Sequence, residues 1–424
     1  QVYRQGLGPN WIQDNTIITA YVSRGDGQTL TFNRSGSNWL ADADITGQLN
    51  NQFDAVGKVS GWTYTTPNQE IEQYNGSGQL ISITDRVGQI QIHTYSDGTT
   101  GANGGYVLDA SGTPTTTILP AGQLVRITDN DSHSINLGYD SQNRIVKMTD
   151  PAGGVYRYAY DTNNNLSSIT YPDSKIKQYL YEDTTYLHAL TGIIDENNSR
   201  FATYAYDITG RAITTEHAGG VEKVSLTYNS NGTTTEIDAL GTTRVQTFQT
   251  VLGLPRNGGV SQPGGSGCGA ASSAQTYDAN GNVASRTDFK GNKTCYAYDL
   301  TRNLETFRLE GVASSATCPA DLAAYVPSTT TGSVERKIST QWHAAYRLPT
   351  VIAEPLRIIS HTYDPQGNLL TRTLQTSTDT TGGAGQSATA SGTSRTITYT
   401  YNSTGEVLTA DGPRTDVNDL TSYT

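Results

Sequence analysis

The chain has 424 residues, with 28 Lys+Arg against 39 Asp+Glu for a net charge of −11. Its 63 Thr, 44 Gly and 26 Tyr favour strands and turns, which argues against a helical bundle. The acidic balance, with no basic patch to offset it, argues against a nucleic-acid binder. No apolar stretch approaches the ~18 residues that suggest a membrane span. The first twenty residues lack the basic and apolar regions of a secretory leader. Because Gln1 is not an initiator methionine, that absence says nothing about export.

Taken in chain order, the sequence keeps a beat. Phe32, Phe53, Tyr74 and Tyr95 are spaced by 21 residues each, and Phe32, Phe53 and Tyr74 are followed by Asn or Asp. The beat resumes at Tyr139-Asp140, Tyr160-Asp161 and Tyr181, then stretches to Tyr206-Asp207 and Tyr228. It returns at Tyr277-Asp278 and Tyr298-Asp299, again from Trp342 to Tyr363-Asp364, and at Tyr401-Asn402. Within a unit the offsets are fixed. From Tyr139 the run reads Asp140, Asn143-Arg144-Ile145, Thr149-Asp150-Pro151, then Tyr156, Tyr158 and Tyr160. Asp and Asn bond their own backbone in turns, and Gly accepts positive φ. Between the turns, residues alternate with period two. Each unit therefore predicts two antiparallel strands of about six residues and two tight turns. One such hairpin is marginal alone, so units must pair edge to edge. Four stretches interrupt the beat, at 96–114, 258–273, 312–334 and 376–393, and read as surface loops. The last is polar and reads as flexible. No domain boundary is evident, so 1–424 reads as one region, and the low apolar fraction fits a wall one sheet thick.

The units YDSQNRIVKMTDPAGG, YDANGNVASRTDFKGN, YDLTRNLETFRLEG and YDPQGNLLTRT resemble the YD repeats of the bacterial Rhs family. That resemblance implies an all-β fold in which tandem hairpins form a long, spiralling antiparallel sheet, a hollow shell or part of one. It is related to the shells of toxin complexes and teneurins. It further implies a non-catalytic, secreted or cell-surface bacterial protein that encloses or displays a C-terminal toxin or effector. Its partners would be that domain or the secretion machinery, with no cofactor. Bacterial shells of this kind usually finish in a Pro-, Gly- and Asp-rich segment that caps the cocoon and often cleaves itself. No residues here match it, so that role is not carried over. The alternative is an adhesin or filament that binds a cell-surface glycan or protein through its aromatic rows.

The recurring Asp140, Asp161, Asp207, Asp278, Asp299 and Asp364 mark turns, since a catalytic pair needs no carboxylate in every unit. With Tyr139, Tyr160, Tyr206, Tyr277, Tyr298 and Tyr363 they define the repeat. A glycosidase would need one carboxylate pair set apart from it, and none is found. Asp161-x-Asn163-x-Asn165 starts like a calcium loop, yet its twelfth position is Pro172 rather than Glu. Asp129-Asn130-Asp131 reads as a turn. Gly265 to Ala270 nearly fits a dinucleotide fingerprint but lacks the strand and helix it requires. The six histidines show no ligand spacing. His343 is kept as a candidate pocket residue, because His343 follows Trp342 where other units have Tyr-Asp. The tyrosines read as a packing ladder of cross-strand pairs.

Cys268, Cys295 and Cys318 match no zinc spacing. Full reduction and one bridge with one free thiol are both open. A bridge from Cys295, in a strand, to Cys318, in the third insertion, would close a loop of ~23 residues and stabilise by roughly 3 kcal/mol. It leaves Cys268 free. Mass spectrometry before and after reduction checks this. The expected result is a gain of two hydrogens confined to the peptides that carry Cys295 and Cys318.

Overall fold

The structure is a computed structural model and describes residues 19–57, 59–328, 335–414 and 416–423. Strands take up 53% of the described residues, about twice the ~20–25% of an ordinary globular protein. Among the described residues there is no α-helix, only 3-10 turns at Ala218–Gly220 and Gly385–Ser387. No helix there is long and apolar enough to cross a membrane. Among the described residues, twenty-nine strands belong to one antiparallel sheet.

The chain falls into two compact units. One comprises Gln1–Gln89, Gln249–Gly259 and Ala271–Thr424; the other comprises Ile90–Phe248 and Val260–Ala270. In the second unit, strands Ser134–Tyr139, Ile145–Thr149, Val155–Tyr160, Leu166–Thr170 and Ile176–Leu180 follow one another as hydrogen-bonded neighbours. The same rule holds in the first unit, as in the run Asn292–Asp299, Leu304–Ala313, Arg336–Trp342, Pro349–Glu354, Arg357–Tyr363 and Leu369–Ser377. The local sequence explains the hairpins. Short alternating runs rich in Tyr, Thr, Val and Ile form strands, and the Asx-led tetrads between them turn the chain.

Most strands that reach the repeat tyrosine slip register there, although Tyr228 pairs with Thr234 without a slip. Ala159 pairs with Ser168, whereas Tyr160 pairs with Leu166. The same slip occurs at Tyr139, Tyr206, Tyr277, Tyr298 and Tyr363. The fourth turn residue has positive φ, 60° at Asn143 and 77° at Gly281. This is a tight turn followed by a bulge, the device that joins two strands through a short loop and adds twist.

The expectation of a wall one sheet thick needs correcting in three places. Strands Thr19–Ser23, Thr29–Ser35 and Asn38–Leu40 form a small separate sheet. Its Val22, Phe32 and Trp39 bury with Leu49, Trp62 and Tyr74 of the long sheet, making a true two-layer core. Two insertions also fold onto the wall. Val107, within the hairpin Tyr106–Leu108 with Pro114–Ile118, and Leu119, just after it, bury against Tyr139. Leu322 buries against Cys295, Leu309 and Val312. Apolar side chains that find no partner inside one sheet recruit chain from the insertions to cover them. Half of the interruption at 258–273 is strand, since Leu254–Gln262 and Ala271–Tyr277 flank a tight turn at Gly265 to Cys268.

The third and fourth insertions are fastened around Lys337, which is 2% exposed. Its ammonium donates to Ala323 O (3.0 Å) and Tyr325 O (2.7 Å), and its backbone N–H donates to Thr381 O (2.8 Å). Residues 329–334 of the third insertion lie outside the described residues. In the fourth, Asp379 accepts from the N–H groups of Thr381, Gly382 and Ala384 and rolls the segment into a compact turn. Gly382 has φ +78°, and a Cβ there would lie 1.8 Å from Lys337 O. Gly382→Ala is expected to lower stability by about 2–3 kcal/mol through overpacking and strain. Urea denaturation of wild type and variant measures it.

Candidate functional site

The recurring carboxylates are bound by their own turns. Asp140 Oδ1 accepts from the N–H of Gln142 (2.9 Å) and of Arg144 (2.9 Å), and Oδ2 accepts from Arg144 Nε (2.8 Å). Asp161 repeats this with Asn163 and Asn165, Asp207 with Thr209 and Arg211, Asp278 with Asn280 and Asn282, and Asp364 with Gln366 and Asn368. Asp299 accepts from Thr301 N (3.0 Å). Each oxygen thus satisfies backbone donors that a tight turn would leave unpaired.

The tyrosines carry a role that sequence reasoning missed. Tyr160 OH donates to Ile145 O (2.8 Å), the carbonyl just after the preceding unit's turn. Tyr181 donates to Leu166 O (3.3 Å), Tyr228 to Ala212 O (2.8 Å), Tyr298 to Val283 O (3.0 Å) and Tyr401 to Leu369 O (2.8 Å), each following the same rule. Tyr139, Tyr206, Tyr277 and Tyr363 likewise bond upstream carbonyls, at Leu124, Leu190, Asn257 and Pro349. Trp342, standing in the tyrosine position, donates from Nε1 to Glu305 O (2.8 Å). In two units the turn arginine also covers the next tyrosine ring. Arg144 lies 4.5 Å from Tyr160 and Arg211 lies 4.1 Å from Tyr228, within cation–π range. The readable signal was the ratio of 26 Tyr to 6 Phe, since a packing ladder alone has no need of the hydroxyl.

His343 takes over the turn aspartate's task. Its Nδ1 accepts from Ala345 N (3.2 Å) and Tyr346 N (3.1 Å), and the backbone N–H of His343 donates to Leu348 O (2.8 Å). The ring stacks on Tyr346 at 4.9 Å. Arg302 donates to His343 O and Tyr346 O (2.8 Å each), and Arg347 donates to Arg302 O (2.6 Å) and Asn303 O (3.2 Å). Burial and the neighbouring Arg302 push the Arg347 guanidinium below its ordinary range. Beside this turn is a cleft of about 540 Å³ lined by Glu70, Asp85, Arg86, Tyr346, Arg347 and Asn368, among others. Gln69 Nε2 reaches Ala345 O (3.4 Å) across it. The cleft is a polar seam between hairpin turns, with its central ring stacked on His343 and faced by Arg86 at 6.0 Å.

The remaining candidates resolve into local geometry. Asp129, Asp131 and His133 bring ligand atoms within 4.8 Å of one another. Asp129 Oδ1 is already bonded to the N–H of Asp131 and His133, as Asp140 is to its own turn. His188 Nδ1 lies 2.6 Å from Asn165 Oδ1, and His217 pairs with Glu222 at 3.1 Å. Gly265 and Cys268 exchange backbone hydrogen bonds in a tight turn, with Cys268 exposed and free. Cys295 and Cys318 are joined by a disulfide with a Cα–Cα distance of 5.7 Å. In the wall, burial pushes the Glu305 carboxyl above its usual range, against the pull of Arg308.

Hydrogen bonds set the acid response. The Thr209 hydroxyl and then the Arg211 donors hold the Asp207 carboxyl well below the usual range. At Asp140, burial opposes ionisation, but the Arg144 N–H and guanidinium outweigh it. Asp288 and Asp238 are depressed by Asn292 and Arg244. A depressed carboxyl contributes stability that is complete above its unfolded value and lost as pH falls through its folded one. The unfolding midpoint is therefore expected to stay level from neutrality to about pH 5 and to decline below about pH 4, the unfolded Asp value. Melts across a pH series check it. Asp140→Ala should cost about 2 kcal/mol and Asp140→Asn less than about 1, because Asn also makes this turn. Tyr160→Phe should cost about 1 kcal/mol. Denaturant titration of the three variants reads these out.

The family profile described as RHS Repeat matches residues 119–155 and 139–176. No curated protein matches. Among solved structures, the TcdB2-TccC3 toxin complex without its hypervariable C-terminal region aligns at 12% identity with a TM-score of 0.50. The alignment covers 95% of this chain and 26% of that one, so the chain spans about a quarter of the length of its solved neighbour. The Photorhabdus luminescens Tc holotoxin pore also aligns, at 12% identity over 93% of this chain and 26% of that one. Its TM-score of 0.24 is too low to bear on the fold. The first likeness extends the shared fold along nearly the whole chain.

Proposed function

This chain is built of Rhs/YD repeats and belongs to that family, and we propose that it is the wall of a secreted bacterial shell that encloses or displays a C-terminal toxin or effector. The observation that supports this reading is the commitment of the repeat's chemistry to the wall itself. Turn carboxylates accept from their own backbone, and tyrosine hydroxyls bind the preceding unit. A carboxylate already accepting two N–H bonds is a poor general base, and its depressed pKa makes it a poor general acid. The wall therefore acts by covering and holding rather than by catalysis. Covering strand edges also protects so long a sheet from aggregation. Partners on this reading are the enclosed domain and the machinery that exports or delivers it, with no cofactor. The glycan-binding adhesin reading needs free aromatic faces, and two of the repeat tyrosines, Tyr160 and Tyr228, carry an arginine on the ring.

Electron micrographs of protein expressed from the whole reading frame test the proposal. Hollow, egg-shaped particles holding density are the expected result. Extended filaments, or empty open sheets that bind cell-surface glycan, would contradict it.

A further inference from the structure

Beneath the first insertion lies a site of a different character. Residues 96–119 form a flap whose hairpin, Tyr106–Leu108 with Pro114–Ile118, lies over one face of the second unit's sheet. The approach is so close that a Cβ at Gly138 would sit 2.4 Å from Leu108 Cδ1. Under the flap is a cavity of about 270 Å³, near the lower end of the ~300–1,000 Å³ range of small-molecule sites. Leu108, Leu119 and Val125 give it an apolar wall, while Arg126, Asn136 and Lys147 give it a polar one.

The polar wall carries positive charge that the protein does not neutralise. Lys147 lies directly across the ladder from Arg157, an arrangement of like charges that destabilises a strand pair. Arg126 pairs with Asn136 and Lys147 with Gly138. Asn136 and Gly138 share a face by strand alternation, which puts all three cations on that face. Arg126 Nη2 donates to Asn103 Oδ1 (3.1 Å) and Arg157 Nε to Ser111 O (3.1 Å), both neutral acceptors from the flap. The flap's Asp109 is occupied in its own turn, accepting from Ser111 and Thr113. Among the described residues, none of the three cations forms an ion pair. Folding a flap over uncompensated cations, with an apolar pocket beside them, suits an occupant that is negative at one end and apolar at the other.

We propose that this cavity binds a small amphipathic anion, its carboxylate held by Lys147 and Arg126 and its apolar body packed on Leu108, Leu119 and Val125. The site stands apart from the wall-building role, and its failure would leave that role untouched.

Calorimetric or NMR titration of the intact chain with octanoate, octylammonium and octanol tests it. The expected result is saturable octanoate binding, no octylammonium binding, and octanol weaker than octanoate by about tenfold, the worth of a charge-assisted bond. Lys147→Met should weaken octanoate by a similar factor. It should also raise the ligand-free unfolding midpoint, since it removes one of two opposed like charges, and that shows that the variant is folded. Three outcomes would each overturn the proposal. These are no saturable octanoate binding up to about 10 mM, equal binding of octylammonium, and undiminished octanoate binding by a folded Lys147→Met variant.

Discussion

The whole wall depends on what a tight turn does with its backbone N–H groups. A hairpin of about six residues per strand leaves donors at its tip that no ladder can use, and one unit follows another along most of the chain. The aspartate that leads most of the repeat turns accepts two of those donors on one oxygen, as Asp140 does from Gln142 and Arg144. Because the acceptor is charged and its bonds are local, the turn closes without help from distant chain. The tyrosine of the following unit then bonds the first carbonyl after that turn, as Tyr160 does at Ile145. Turn and neighbour are thereby joined, and a marginal hairpin becomes one link in a cooperative series.

That constraint explains where the protein tolerates change. His343 can stand for Asp because its Nδ1 also accepts two backbone N–H bonds of its turn, from the second and third residues onward rather than the second and fourth. Trp342 can stand for Tyr because an indole N–H also reaches a carbonyl. Insertions enter at turns, where they do not break a ladder, and those that carry apolar residues fold back over the sheet. Lys337 shows the cost of such an arrangement. Burial pulls its ammonium down while Asp379 and Asp321 pull it up, and two carbonyls of the insertion replace its lost water.

Much of this was legible in the sequence, because the beat is a property of residue types at fixed offsets. Strand alternation, the turn positions and the all-β class follow from Tyr139 to Asp183 alone. The carboxylates' occupation could be inferred from their recurrence. The tyrosine hydroxyl's partner could not, since it belongs to another unit and depends on a register slip that no composition reveals. Nor could the fates of the insertions. Val107, Leu119 and Leu322 look like isolated apolar residues in polar loops until the sheet provides Tyr139 or Leu309 to bury them. The cavity between the flap and Lys147 was invisible for the same reason.

Native-state amide hydrogen exchange tests the interlocked turn most directly. If the turn aspartate and the next tyrosine hold each unit, the amides of Gln142 and Arg144 will be as protected as those of strand Val155–Tyr160. A Tyr160→Phe variant will then lose protection in the 140–145 turn ahead of the distant units. If those turn amides exchange at unstructured rates in the wild type while the strands stay protected, the turns are mere connections and the account is wrong.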